Sequence, residues 1–215
     1  TGDAAVVGVP LQKTTKLAVD EINAKGGIGG KKLVVVYEDG KCDGKEAATA
    51  AQRLVNVEKV ELILGPVCSG EALGIAPLAN ESKTVVISPS ATSPDITTKG
   101  GDYTFRFAPS DALAGKVAAQ YAAKDLSAKK VAIISENTEY AQGLHRIFSE
   151  SFKQAGGDVV ADEVYNTGST DFRTQATKIK NAEVEAIYLI PQSPAPGLSI
   201  VKALKDQNIT AKLLT

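Results

Sequence analysis

Two rhythms of hydrophobic and polar positions run along this chain. Leu11, Thr15, Ala18, Val19 and Ile22 recur at helical spacing, and Gly26-Gly27 supplies a stop. LVVVY (33–37) is a continuous Val-rich run, the pattern of a strand buried on both faces. KEAATAAQRLVN (45–56) predicts a helix, VELILG (60–65) a second buried strand, and EALGIAPLANES (71–82) a helix despite Pro77. TVVIS (84–88) reads as a third strand, and YTFRFAPS (103–110) alternates like an edge or crossing strand. The cycle then restarts. Helices are predicted in ALAGKVAAQYAAKD, YAQGLHRIFSESFKQAGG, DFRTQATKIKN and PGLSIVKALKDQN, with strands at KVAIIS (130–135), DVVADEVY, EAIYLI and AKLL between and after them. Repeated βα units with short connections imply an α/β fold of parallel sheets with right-handed crossovers. A break near Phe107–Asp111 divides the chain into two doubly wound lobes, 1–108 and 109–215.

With 43% hydrophobic residues and a net charge of −1, the 215-residue chain can bury a core and lacks the basic balance of a nucleic-acid binder. No run of about 18 apolar residues occurs, so no membrane span is expected. The chain has no Met and opens on Thr1-Gly2-Asp3, which fits an exported precursor that has lost its leader.

Cys42 and Cys68 are the only cysteines, and each follows a predicted strand. Loops after successive parallel strands share one rim, where ligands bind in open α/β sheets. The pair reads most simply as a disulfide and hence as a sign of an oxidising compartment. A reactive thiol or half a metal site is the alternative, but two cysteines without histidine partners suit a metal poorly.

Catalytic signatures are lacking. His145 is the only histidine, placed mid-helix beside Leu144 and Ile147, and reads as a half-exposed helix-face residue. The glycines at 26–30 follow a helix and precede a strand, the reverse of a phosphate loop, so they read as a cap and turn. Asp95, Asp102, Asp111 and Asp171 fall at helix starts or turns, where capping accounts for them. No metal and no cofactor is expected. What remains is hydroxyl-rich: Cys68-Ser69-Gly70 after one strand and Ser88-Pro89-Ser90-Ala91-Thr92-Ser93-Pro94 after the next. Hydroxyls and backbone N–H groups beside a helix start suit a small carboxylate, although Ser69 and Thr92 could also serve only as helix caps.

LAVDEINAKGGIGGKKL, ILGPVCSG, VVISPSATSPDIT, YTFRFAPSD and VAIISENTEYAQGL resemble, in order, the type I periplasmic solute-binding proteins of ABC transporters, and the branched-chain amino-acid group most of all. The resemblance implies two α/β lobes that close on a ligand. It assigns the ligand carboxylate to Ser69, contacts to carboxylate and ammonium to Ser90, Ala91 and Thr92, and a covering role to Tyr140. Gln192, in the loop Ile190-Pro191-Gln192-Ser193, is a further candidate contact. A disulfide between the two rim loops is known in that group and matches Cys42 and Cys68. The family's acidic residue for the ligand ammonium falls past Thr215. Its first strand, which precedes the turn at Thr1-Gly2, lies between the strands at 33–37 and 60–65, so the chain reads as a piece of a longer protein. The slot between those strands is then filled by other chain, or the two strands collapse into direct pairing.

The expected function is capture of a small amino acid or related carboxylate outside the cytoplasm, with or without a lipid anchor, for delivery to a membrane permease. The alternative is a ligand-sensing domain of the same fold in a receptor or regulator. No enzyme activity and no nucleic-acid partner are expected.

Overall fold

A computed structural model describes residues 4–215. They fall into two compact units, one running up to Ala91 and including Ile96–Ala108, the other of Thr92–Asp95 with Pro109–Thr215.

The first unit opens with α1 (Ala5–Ala24), which has no fully buried residue. Its stripe Leu11, Thr15, Val19 and Ile22 is only half-covered, while Ala18 is exposed. Gly26, Gly27, Gly29 and Gly30 all have positive φ, as the cap and turn require. There follow α2 (Gly44–Asn56), β1 (Leu62–Leu64), α3 (Ser69–Ser82), β2 (Val85–Ser88), the short α4 (Asp95–Lys99) and β3 (Thr104–Arg106). The three strands form a parallel sheet in the order β1-β2-β3. Asp43 starts α2 by accepting hydrogen bonds from the Lys45 and Glu46 N–H groups. Ala47, Ala51, Ile63, Ile75, Ala79 and Val86 make the core between α2, α3 and the sheet.

Two expectations fail in this unit. The run 33–37 is not a strand, and Val34 is 87% exposed. A strand exists only through its ladder, and apolar composition alone cannot supply a neighbour. Leu33 is instead clipped by the Asn23 amide, which accepts from its N–H (2.7 Å) and donates to its carbonyl (2.9 Å). The strand at 60–65 is also shorter and less buried than predicted. Its ladder partner is β2, not the 33–37 segment, and only Ile63 of the three faces the core.

The second unit contains α5 (Asp111–Gln120), continued by a π turn over Tyr121–Asp125, then β4 (Lys130–Glu136), α6 (Glu139–Gln154), β5 (Asp158–Tyr165), α7 (Arg173–Ala182), β6 (Ala186–Ile190), α8 (Pro194–Asp206) and β7 (Lys212–Leu214). Its parallel sheet has the order β5-β4-β6-β7. Along β4, Val131 and Ile133 join the core on one face, with Leu144, Phe148 and Phe152 of α6. Ala132 and Ile134 join the other, with Ile179 of α7 and Ile200 of α8. That alternation follows from the two-residue repeat of a strand covered on both faces.

Candidate functional site

In the first unit, the C-terminal ends of β1 and β2 carry two loops that interlock. Cys42 and Cys68 form a disulfide, with Cα atoms 5.3 Å apart. Glu71, in the first turn of α3, is buried and accepts from the backbone N–H of Cys42 (3.1 Å), Val67 (2.8 Å) and Cys68 (2.9 Å). The carbonyls of the same loop are taken as well. Ser88 Oγ, wholly buried, donates to Pro66 O (2.5 Å), and Ser90 Oγ donates to Val67 O (2.8 Å). Ser88 Oγ also accepts from the Ala91 N–H (2.9 Å) and, more distantly, from Ser90 N–H (3.4 Å). Ser69 and Ala91 are buried here, and Ser90 is half-buried.

These bonds change what the residues offer a ligand. The hydroxyl proton of Ser90 and the N–H of Ala91 already have internal partners, so they hold the loop in shape. Ser90 Oγ keeps acceptor capacity for an ammonium or hydroxyl donor.

In the second unit, Thr92–Asp95 is fastened by the Asp111 N–H donating to Thr92 O (3.0 Å) and by Arg146 pairing with Asp95 (2.6 Å). Asp95 is therefore an ion-pair partner as well as a helix-start residue. Thr138 caps α6 through the Ala141 N–H, which sets Tyr140 in the first turn. Tyr140 is half-buried against the Phe148 side of the core. Gln192 follows β6, and its N–H donates to Glu136 (2.9 Å). Glu136, buried at the end of β4, also accepts from Tyr165 (3.2 Å) and Thr167 (2.7 Å). One carboxylate thus joins the chain beyond β4, β5 and β6 at a single rim.

Burial raises the Tyr140 phenol, with a smaller push from the Asp111 carboxylate. It raises Tyr165 and Tyr188 further, aided by Glu136 for the first and by Tyr140 and Asp111 for the second. A phenol whose folded pKa is raised adds stability in full below its unfolded value, about 10, and loses it as pH climbs through the folded one. Alkaline titration followed by absorbance should therefore show three of the six tyrosines ionising above the ordinary phenol range. A single phase within that range would contradict these assignments.

His145 is less exposed than the sequence suggests, at 13% for the side chain. Its Nδ1 lies 2.9 Å from Ser135 Oγ and its Nε2 3.1 Å from an Asp162 oxygen. The three residue types match a hydrolase triad, yet Ser135 is wholly buried within β4 and laddered on both sides. Its hydroxyl cannot meet a substrate, so the chain of bonds serves to fasten α6 to the sheet. Among the described residues, no group of three or more His, Cys, Asp or Glu is placed to hold a metal.

Two hollows among the described residues lie away from both rims. One of about 250 Å³ sits beside Lys59 and Lys83, before β1 and β2, and one of about 170 Å³ beside Lys180 and Asn208, before β6 and β7. Both are open notches at helix ends; the hydroxyls of Ser82 and Thr84 in the first are bonded to each other (2.9 Å).

The periplasmic binding protein family model matches residues 1–215, the whole chain. The chain belongs to this family. Membership places the protein outside the cytoplasm, and no described helix is long and apolar enough to cross a membrane. The chain is 31% identical, over 214 residues, to the Leu/Ile/Val-binding protein BraC3 of Rhizobium johnstonii, covering 100% of itself and 58% of that relative. It is 37% identical to the branched-chain amino-acid transporter substrate-binding protein LivJ of Streptococcus pneumoniae, solved in complex with isoleucine. That match has a TM-score of 0.84 and covers 99% of this chain and 60% of the other. A solute-binding protein of an ABC transporter from R. palustris, in complex with 4-hydroxybenzoate, is 29% identical with a TM-score of 0.80, covering 99% of this chain and 58% of that one. The chain thus spans well under two thirds of the relatives it matches, and its α/β architecture is part of the type I fold they share.

Proposed function

We propose that the protein captures a small carboxylate, in the first instance a branched-chain amino acid, and hands it to the permease of an ABC transporter. The reading rests on the likeness, over 99% of this chain, to a structure with isoleucine bound. Ser69, Ser90, Ala91 and Thr92 on a lobe of 1–108, and Tyr140 and Gln192 on a lobe of 109–215, are the proposed contacts, although Thr92–Asp95 packs with the second compact unit. Hydroxyl donors replace the water that a carboxylate loses on binding, and Tyr140 offers an aromatic face to an apolar side chain. No bond is made or broken in the cycle. The sensory alternative has no comparable support, since the relatives above are all named as binding proteins.

A thermal-shift screen of the full-length protein tests this reading. Isoleucine, leucine and valine should raise the melting temperature, because ligand at about 100 times its dissociation constant stabilises by roughly 2.7 kcal/mol. A response to 4-hydroxybenzoate alone would move the ligand class to aromatic acids. Ser69→Ala and Thr92→Ala should each weaken binding about tenfold or more, since a hydrogen bond to a charged group contributes about 1.5–3 kcal/mol. Unchanged affinity in both variants, measured by calorimetry, would place the ligand elsewhere.

A further inference from the structure

Glu71 collects three backbone N–H groups from two loops while standing seven-hundredths exposed, and no cationic side chain pairs with it among the described residues. Its charge is balanced by those N–H dipoles and by its place in the first turn of α3. The loops it joins are the ones the disulfide joins. On one side are Val67 and Cys68, directly before Ser69. On the other is Cys42, which with Lys41 has a left-handed backbone, φ 59° and 52°. Non-glycine residues hold such angles only where their surroundings fix them. Gly40 shows how closely the second loop lies on Glu71, because a Cβ there would fall 2.5 Å from Glu71 Oε1.

We propose that Glu71 is the positioning residue of this rim: its carboxylate, rather than the Cys42–Cys68 bond, sets the conformation of Pro66–Ser69 and so the placement of the Ser69 hydroxyl. The link to ligand binding rests on the function proposed above. A disulfide acts mainly by limiting the unfolded chain. A carboxylate bonded to three fixed donors acts on the folded loop. Both oxygens of Glu71 receive backbone N–H groups, which cannot turn around as hydroxyls can. Glutamine has the same shape but must aim an NH2 donor at one of those donors.

The test is amide hydrogen exchange by NMR on the full-length protein in three states: wild type, wild type reduced with TCEP, and oxidised Glu71→Gln. Exchange at Val67 and Cys68 should stay near the wild-type rate after reduction and rise about tenfold or more in Glu71→Gln. The β4 amides should stay protected throughout, which separates a local change from general loosening. Isoleucine affinity should fall about tenfold in Glu71→Gln and little on reduction. Wild-type exchange at Val67 and Cys68 in Glu71→Gln would overturn the proposal. So would reduction that frees these amides as fully as the substitution does. If Glu71→Gln does not fold, the reduced wild type decides alone: retained protection supports the carboxylate, and lost protection gives the role to the disulfide. Failure of isoleucine to bind wild type would sink the ligand reading and leave the exchange result intact.

Discussion

Reduction of the Cys42–Cys68 bond is expected to lower the unfolding free energy by about 3–4 kcal/mol. The bridge spans 26 residues, and the chain-entropy model gives that range for a loop of this size. The effect should appear as a lower urea midpoint with TCEP and should be reproduced by a Cys42→Ser, Cys68→Ser double variant. The folded rim should change little, because Glu71 still spans the same loops. A midpoint that does not move would show that the reduced, unfolded chain retains this loop.

Glu136 gives the opposite contrast to Glu71, and a second large effect. Glu136→Leu leaves the buried Tyr165 hydroxyl and the Gln192 N–H without an acceptor. At about 1–3 kcal/mol for each of the two orphaned groups, the expected loss is about 2–6 kcal/mol. Thr167 is exposed and can turn to water. Glu136→Gln should cost far less, since the new NH2 can face Thr167, whose hydroxyl rotates to accept, while the carbonyl keeps Tyr165 and Gln192. Thermal unfolding of both variants checks this ordering. Equal losses would mean that the charge, rather than the pattern of acceptors, is what the site requires.

The two glutamates show where sequence reasoning stops. Strands β4 and β6 are legible as continuous apolar runs because both their faces are covered by helices of their own unit. The run at 33–37 has the same composition and forms no strand, since pairing depends on neighbours that a local pattern does not contain. In β1 the apolar residues were legible, but the exposure of Leu62 and Leu64 was not. The cysteine pair could be read because only one pairing exists. Ser69 and Thr92 could be picked out as hydroxyls at predicted helix starts. Glu71 stands three residues after Cys68, where a capping glutamate belongs, but its reach to Cys42, 29 residues back, and that of Glu136 to Gln192, 56 residues on, are not contained in the local pattern. Ser88 was hidden inside a serine-rich loop for a similar reason: only the fold shows which hydroxyl turns inward.

Because the bridge closes both cysteines, the oxidised chain presents no thiol to a maleimide. The sequence also has no tryptophan. A single cysteine installed at the exposed Asn166, just past β5, would carry a fluorophore at one site against a dark background. Within this chain, labelling is thus confined to whichever position is chosen for it.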